Sequence, residues 1–135
     1  MFENGDIHRV IGGSMYLTKV AIVFGIIFIA IGVLGFVPAV TPGGLLAGIF
    51  EVDKLHNYVH LAVGIIALIA ASKASYAKLF FQVFGVLFAA VTVAGFVRAG
   101  DLWFMHGNMA DNYFTLVIAV IALYLGFVVK GTTDE

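Results

Sequence analysis

Residues 56–61 read HNYVHL, which sets two imidazoles, His56 and His60, four positions apart beside Asn57. On a helix, residues i and i+4 lie one above the other on the same face, a spacing at which two histidines can chelate a divalent metal. Residues 111–116, DNYFTL, repeat the frame with Asp111 for His56, Asn112 for Asn57 and Thr115 for His60. If the two segments face each other, His56, His60 and Asp111 become a nitrogen–oxygen donor set suited to zinc, copper or nickel. Glu51, Asp101 or His106 from the loops are candidates to complete it.

His60 is also a candidate axial ligand for haem. A bis-histidine haem needs a second deep histidine; position 115 holds Thr, and His8 and His106 lie outside the apolar runs. The leading alternative is structural. His60 then bonds a neighbouring helix, for instance through Thr115, while His56 meets interfacial water or Asp111. Interhelical polar bonds of this kind are worth about 1–2 kcal/mol or less each.

Other chemistry fares poorly, and no catalytic residue is assigned. The 135 residues include no cysteine, which excludes disulfides, thiolate metal sites and cysteine nucleophiles. Ser14, Ser72 and Ser75 fall at the membrane side opposite His56 and His60, so no Ser–His–Asp set forms in one copy. Gly12–Gly13–Ser14 is too short for a phosphate loop and is read as a point where the chain bends. A net charge of −1 leaves no basic face for a nucleic acid. The midplane offers glycine, alanine and hydrocarbon, with Thr92 and the inner-end Gln82 as polar exceptions, so one copy does not make a transport path.

These residues must be positioned by elements built for lipid. Apolar residues make up 62% and charged residues 11%, with a mean hydropathy of +1.09; soluble domains average roughly 45–50% and about 25%. Four charge-free runs, Val20–Val37, His56–Ser72, Leu79–Val97 and Tyr113–Val129, contain 18, 17, 19 and 17 residues. As helices they reach roughly 26–29 Å, close to the hydrocarbon thickness, and only helices satisfy every backbone group there. The expectation is an all-α integral membrane protein with four transmembrane helices.

The four runs fall into two pairs. FGIIFIAIGVLGFV at 24–37 matches FGVLFAAVTVAGFV at 84–97, and HNYVHLAVGIIAL at 56–68 matches DNYFTLVIAVIAL at 111–123. A first run with a twin later in the chain is not a cleaved leader. Each pair is a hairpin with an even number of spans, so both insert in one orientation, as parallel repeats do. The chain is read as a single membrane domain over 1–135 that closes into a four-helix bundle. Within it lie an N-terminal segment 1–19, repeat one over 20–72, repeat two over 79–129 and a tail 130–135.

Arg9, Lys19, Lys73, Lys78 and Lys130 lie at one side and only Lys54 and Arg98 at the other, which places both termini in the cytoplasm. Between the first two runs, Pro38, Pro42 and the Gly43–Gly44 pair demand turns. The apolar Leu45–Phe50 stretch is expected in the interface or folded back on the bundle. Trp103 and Phe104 suit an interfacial aromatic belt. Asp53 and Asp111 suit N-caps for the second and fourth helices.

Small residues mark the packing faces, because in lipid close backbone approach drives helix association. Gly25, Gly32 and Gly35 share one arc of the first helix, and Gly85, Thr92 and Gly95 repeat it on the third. His56, His60, Gly64, Ala67 and Ala71 form an inward stripe, matched by Asp111, Thr115, Ala119, Ala122 and Gly126. Leu, Ile, Val and Phe on the remaining faces are expected to meet lipid. Asn57, Asn112 and Thr115 join the glycines as structural residues.

GVLGFVPAVTPGGLLAGIFEVDKLHNYVHLAVG resembles a family of small bacterial membrane proteins catalogued as domain of unknown function 4383. Its pattern runs GFVP, TP, GxF-V and HNxVHLxxG, then DNxLH. The resemblance covers about residues 20–129. It carries His56, Asn57 and His60 onto the first motif, and Asp111 and Asn112 onto the second. This chain departs at Thr115, where the family pattern has histidine, and the resemblance implies no activity.

The reading is therefore a non-catalytic structural or accessory subunit of the bacterial inner membrane. It is in contact with lipid, and with other membrane subunits or its own copies. The alternative is a metal- or haem-binding redox or sensor protein.

Overall fold

The computed structural model describes residues 4–51, 53–98 and 108–129, and of residues 4–14 the backbone alone. Asp101, Trp103, Phe104, His106 and Lys130 lie outside the described residues, as do the side chains of Asp6, His8, Arg9 and Ser14. Four helices carry the fold: α1 (Asn4–Leu34), α2 (Lys54–Ala70), α3 (Ala74–Val97) and α4 (Met109–Phe127). Three stretches are long and apolar enough to cross a membrane, Met15–Leu34, Ala74–Val97 and Met109–Phe127; α2, at 17 residues, is shorter.

α1 runs unbroken from Asn4, so the bend expected at Gly12–Gly13 does not occur. Each glycine costs a helix about 1 kcal/mol, too little to interrupt so long a run.

The first loop folds back on the bundle. Two short 3₁₀ turns, Pro38–Val40 and Pro42–Gly44, lead into an antiparallel pair, β1 (Leu45–Leu46) with β2 (Phe50–Glu51). Positive φ at Ala47 and Gly48 reverses the chain between the strands. Phe50 then sets its ring edge-on to Phe114 of α4, with centroids 5.7 Å apart.

Two kinds of seam hold the helices together. Within each hairpin the backbones nearly touch. A Cβ added to Gly25 would stand 2.8 Å from the Gly64 carbonyl oxygen, and one on Gly64 2.7 Å from the Gly25 oxygen. Gly32 abuts Leu61, and Gly35 abuts the Asn57 side chain. In the second hairpin Gly85 faces Leu123, Gly95 faces Asn112, and Gly126 faces Gln82. These pairings run antiparallel down each seam, so α2 lies along α1 and α4 along α3.

Between the hairpins the gap is wider and aromatic rings fill it. Phe24 meets Phe80 and Phe81 edge-on, each at 5.6 Å, and Phe28 stacks on Phe88 at 5.8 Å. Phe24, Phe28, Phe80 and Phe81 are all buried. The expectation that phenylalanine belongs to the lipid face therefore fails at these positions. Glycine and alanine close the seams inside each hairpin, and only large planar side chains can bridge what remains between them. The exposed faces carry Ile, Val, Leu and Tyr, among them Ile26, Ile65, Ile69, Val93, Val97 and Val120. An open apolar groove of about 300 Å³ separates the C-terminal half of α2 from the N-terminal half of α3, with Ile66, Ile69, Leu79 and Val83 on its walls.

Candidate polar site between the hairpins

The site starts from two helix N-termini. α2 is capped by Asp53, whose side chain accepts the Leu55 N–H at 3.2 Å. The first two turns then carry His56 and His60, which line cavities shared with the second hairpin. α4 is capped not by Asp111 but by Asn108, three residues earlier. The Asn108 side chain accepts the Asp111 N–H at 3.0 Å, and the Asp111 carboxylate accepts the Asn108 N–H at 2.8 Å. This reciprocal pair is a capping box. The expected cap thus sits at the third helical position, where its carboxylate satisfies an orphan backbone donor.

Asp111 also reaches across to the first hairpin. The same oxygen, Oδ2, accepts the backbone N–H of Glu51 at 3.2 Å. Asn108 Nδ2 donates to the Ile49 carbonyl at 2.8 Å. Together these bonds fasten the β1–β2 loop over the start of α4.

Beneath that loop is a cavity of about 60 Å³ lined by His56, Asn57, His60, Glu51, Asp111, Phe50 and Phe114 among others. A second cavity of similar size lies on the far side of the histidines, bounded by Phe28, Phe88, Phe114 and Thr115. Each is large enough for a few water molecules. The imidazoles of His56 and His60 stand with centroids 4.3 Å apart, inclined by 48°. His60 is flanked edge-on by Phe28 at 5.4 Å and Phe114 at 6.5 Å. Its buried Nδ1 has no hydrogen-bond partner among the described residues.

The structure thus brings His56, His60 and Asp111 to one cavity, but it does not join His60 to Thr115. The Thr115 hydroxyl donates to the Asp111 carbonyl of its own helix at 2.8 Å, the usual alternative for threonine in an apolar helix. Thr92 does the same with the Phe88 carbonyl at 2.7 Å. The two asparagines also differ in their bonding. Asn112 Nδ2 donates to the Gly95 carbonyl at 3.1 Å, whereas Asn57 Nδ2 is buried without a partner among the described residues.

Three contributors were missed by sequence reasoning. Asn108 was detectable, since Asn three residues before Asp is a capping-box spacing. Phe114 follows Asp111 by three and so shares its helix face. Phe50 came only with the fold-back of the loop.

No curated protein and no solved structure matches this chain. One family model does match, over residues 19–128, and its description is Domain of unknown function (DUF4383). With nearly all of the two hairpins and the His56–Asp111 cavity inside those limits, the chain belongs to the DUF4383 family.

Proposed function

We propose that this protein is a non-catalytic, four-span membrane protein made of two like hairpins. In this reading it serves as an accessory subunit in the bacterial cytoplasmic membrane, with both termini on the cytoplasmic side. The observation that carries it is the division of side chains. Small residues and the buried Phe24, Phe28, Phe80 and Phe81 fill the two kinds of seam, and mainly aliphatic side chains, with tyrosines and Phe127, cover the outside. Such a surface is suited to lipid or to neighbouring helices.

The fourth span is supported by the antiparallel seam. Gly35 lies against Asn57, Gly32 against Leu61 and Gly25 against Gly64, so a membrane crossed by α1 is crossed by α2 beside it. Seventeen residues is at the lower end of the spanning range. The equivalent seam in the second hairpin, with Gly95 against Asn112, supports descent of both from one duplicated pair.

Single cysteines introduced into this cysteine-free chain at Thr41 and at Ser72 test the topology. Impermeant thiol reagents should label them from opposite sides of the membrane; labelling from one side would remove the fourth span. A defined enzymatic defect on gene deletion, restored by the purified protein alone, would overturn the non-catalytic reading.

The second reading, a metal- or haem-binding protein, is favoured by His60, whose buried Nδ1 has no hydrogen-bond partner among the described residues and which lines both cavities. Their size suits an ion with a few waters and is too small for a tetrapyrrole unless the hairpins separate.

A further inference from the structure

The polar cavity beneath the β1–β2 loop contains more hydrogen-bonding and ligating capacity than the protein uses. His60 Nδ1 and Asn57 Nδ2 are both buried and, among the described residues, both without a hydrogen-bond partner. Asn57 is only 5% exposed and lies on the wall of the same cavity as His56, His60 and Asp111. Buried polar atoms in a native structure are nearly always paired, with protein, water or an ion. Two orphans at one small cavity therefore point to an occupant.

The wall chemistry selects its class. Among the described residues neither Lys nor Arg lines either cavity, while Glu51 and Asp111 both line the first, so the site disfavours an anion. Two imidazoles, one helical turn apart with centroids at 4.3 Å, are ligands for borderline transition metals rather than for magnesium or calcium. Among the described residues no group of three or more His, Cys, Asp or Glu stands ready to hold an ion. Water, for which each cavity has room, can supply the rest of the shell.

We propose that His56 and His60 chelate one first-row divalent ion of the zinc, copper and nickel class, with water filling the remaining positions. Asp111 acts from one step further out. Its carboxylate accepts hydrogen bonds from metal-bound water, as outer partners of metal sites commonly do. Thr115 lines the second cavity along with both histidines, so a ligand placed there would reach the ion from the facing helix. The proposal deepens the second reading above and is independent of the four-span reading, which the cysteine-labelling experiment tests on its own.

The experiment uses the full-length untagged chain in nanodiscs, titrated with Ni²⁺, Zn²⁺ and Cu²⁺ by calorimetry. Far-UV circular dichroism of each variant confirms that it is folded. The expected result is one saturable ion per chain, with Cu²⁺ showing nitrogen hyperfine coupling in its electron paramagnetic resonance spectrum. Affinity should fall at least tenfold in folded His56→Leu and in folded His60→Leu, and should rise at least tenfold in Thr115→His. An absence of saturable binding in the wild type overturns the proposal. So does binding that is unchanged in both leucine variants, which would place the ion elsewhere. Nitrogen-free copper coordination would overturn it as well.

Discussion

The backbone N–H of Glu51 donates to Oδ2 of Asp111 across a sequence separation of sixty residues. One carboxylate oxygen thereby serves two masters: it completes the cap of α4 and holds down the loop of the other hairpin. Charge-assisted bonds to backbone N–H groups are among the stronger ones a protein makes. Asp111→Ala is therefore expected to cost about 2 kcal/mol, with a cap and a tertiary bond lost together. Hydrogen exchange at the Glu51 amide should accelerate along with the drop in melting temperature. A Glu51 amide as protected as before would show that the loop is held by Phe50 alone.

His60 invites the opposite expectation. Removing an interhelical hydrogen bond would loosen the bundle, but Nδ1 of His60 makes none with the described residues. Replacing a poorly satisfied polar group by an apolar one of similar size is close to neutral. His60→Leu in metal-free protein should change stability by less than about 1 kcal/mol in detergent unfolding. A loss of several times that would reveal a bond that the geometry does not contain.

The hairpin seams should be intolerant of a single methyl group. At Gly64 a new Cβ meets the Gly25 carbonyl oxygen and the backbone N of Ile29 within 2.8 Å, so the helices must part. Gly64→Ala is expected to cost about 1–3 kcal/mol, the usual range for overpacking. Its neighbour Ile65 is 52% exposed on the outer face. Ile65→Ala should scarcely register in the same unfolding assay, and equal losses at the two positions would contradict the seam.

Polar side chains in the second hairpin are not equivalent either. Gln82 Nε2 donates across the seam to the Gly126 carbonyl at 2.9 Å, while Thr115 bonds only within its own helix. Gln82→Leu should therefore destabilise by about 0.6–1 kcal/mol, in line with interhelical bonds measured in membranes. Thr115→Val should stay within about 0.5 kcal/mol of the parent protein. Parity between the two, read from paired unfolding curves, would count against this division.

What the amino-acid sequence disclosed depended on how locally each feature is determined. Gly25, Gly32, Gly35, Gly85 and Gly95 could be placed at helix contacts because close approach depends on residue size and helical period alone. The echo of HNYVHL in DNYFTL likewise brought His56, His60 and Asp111 to one site before any coordinates. The burial of Phe24, Phe28, Phe80 and Phe81 could not be foreseen in this way. Phenylalanine is as compatible with lipid as with a core, and the choice rests on the width of a gap that arises only once both hairpins have closed. The hydroxyl of Thr115 was misassigned for a related reason, since its own helix always offers it a carbonyl four residues back. The cap of α4 was misplaced by three residues because Asp111 drew attention from Asn108, although the two act as a pair.

Because each glycine seam is confined to one hairpin, the first can form as soon as residue 70 has left the ribosome, while the second is still being translated. Nothing in the α1–α2 seam waits for later residues. The β1–β2 loop is different, for its anchors at Asn108 and Asp111 emerge some sixty positions after it. During synthesis the strand pair over the two histidines therefore lacks these two anchors until the last helix arrives.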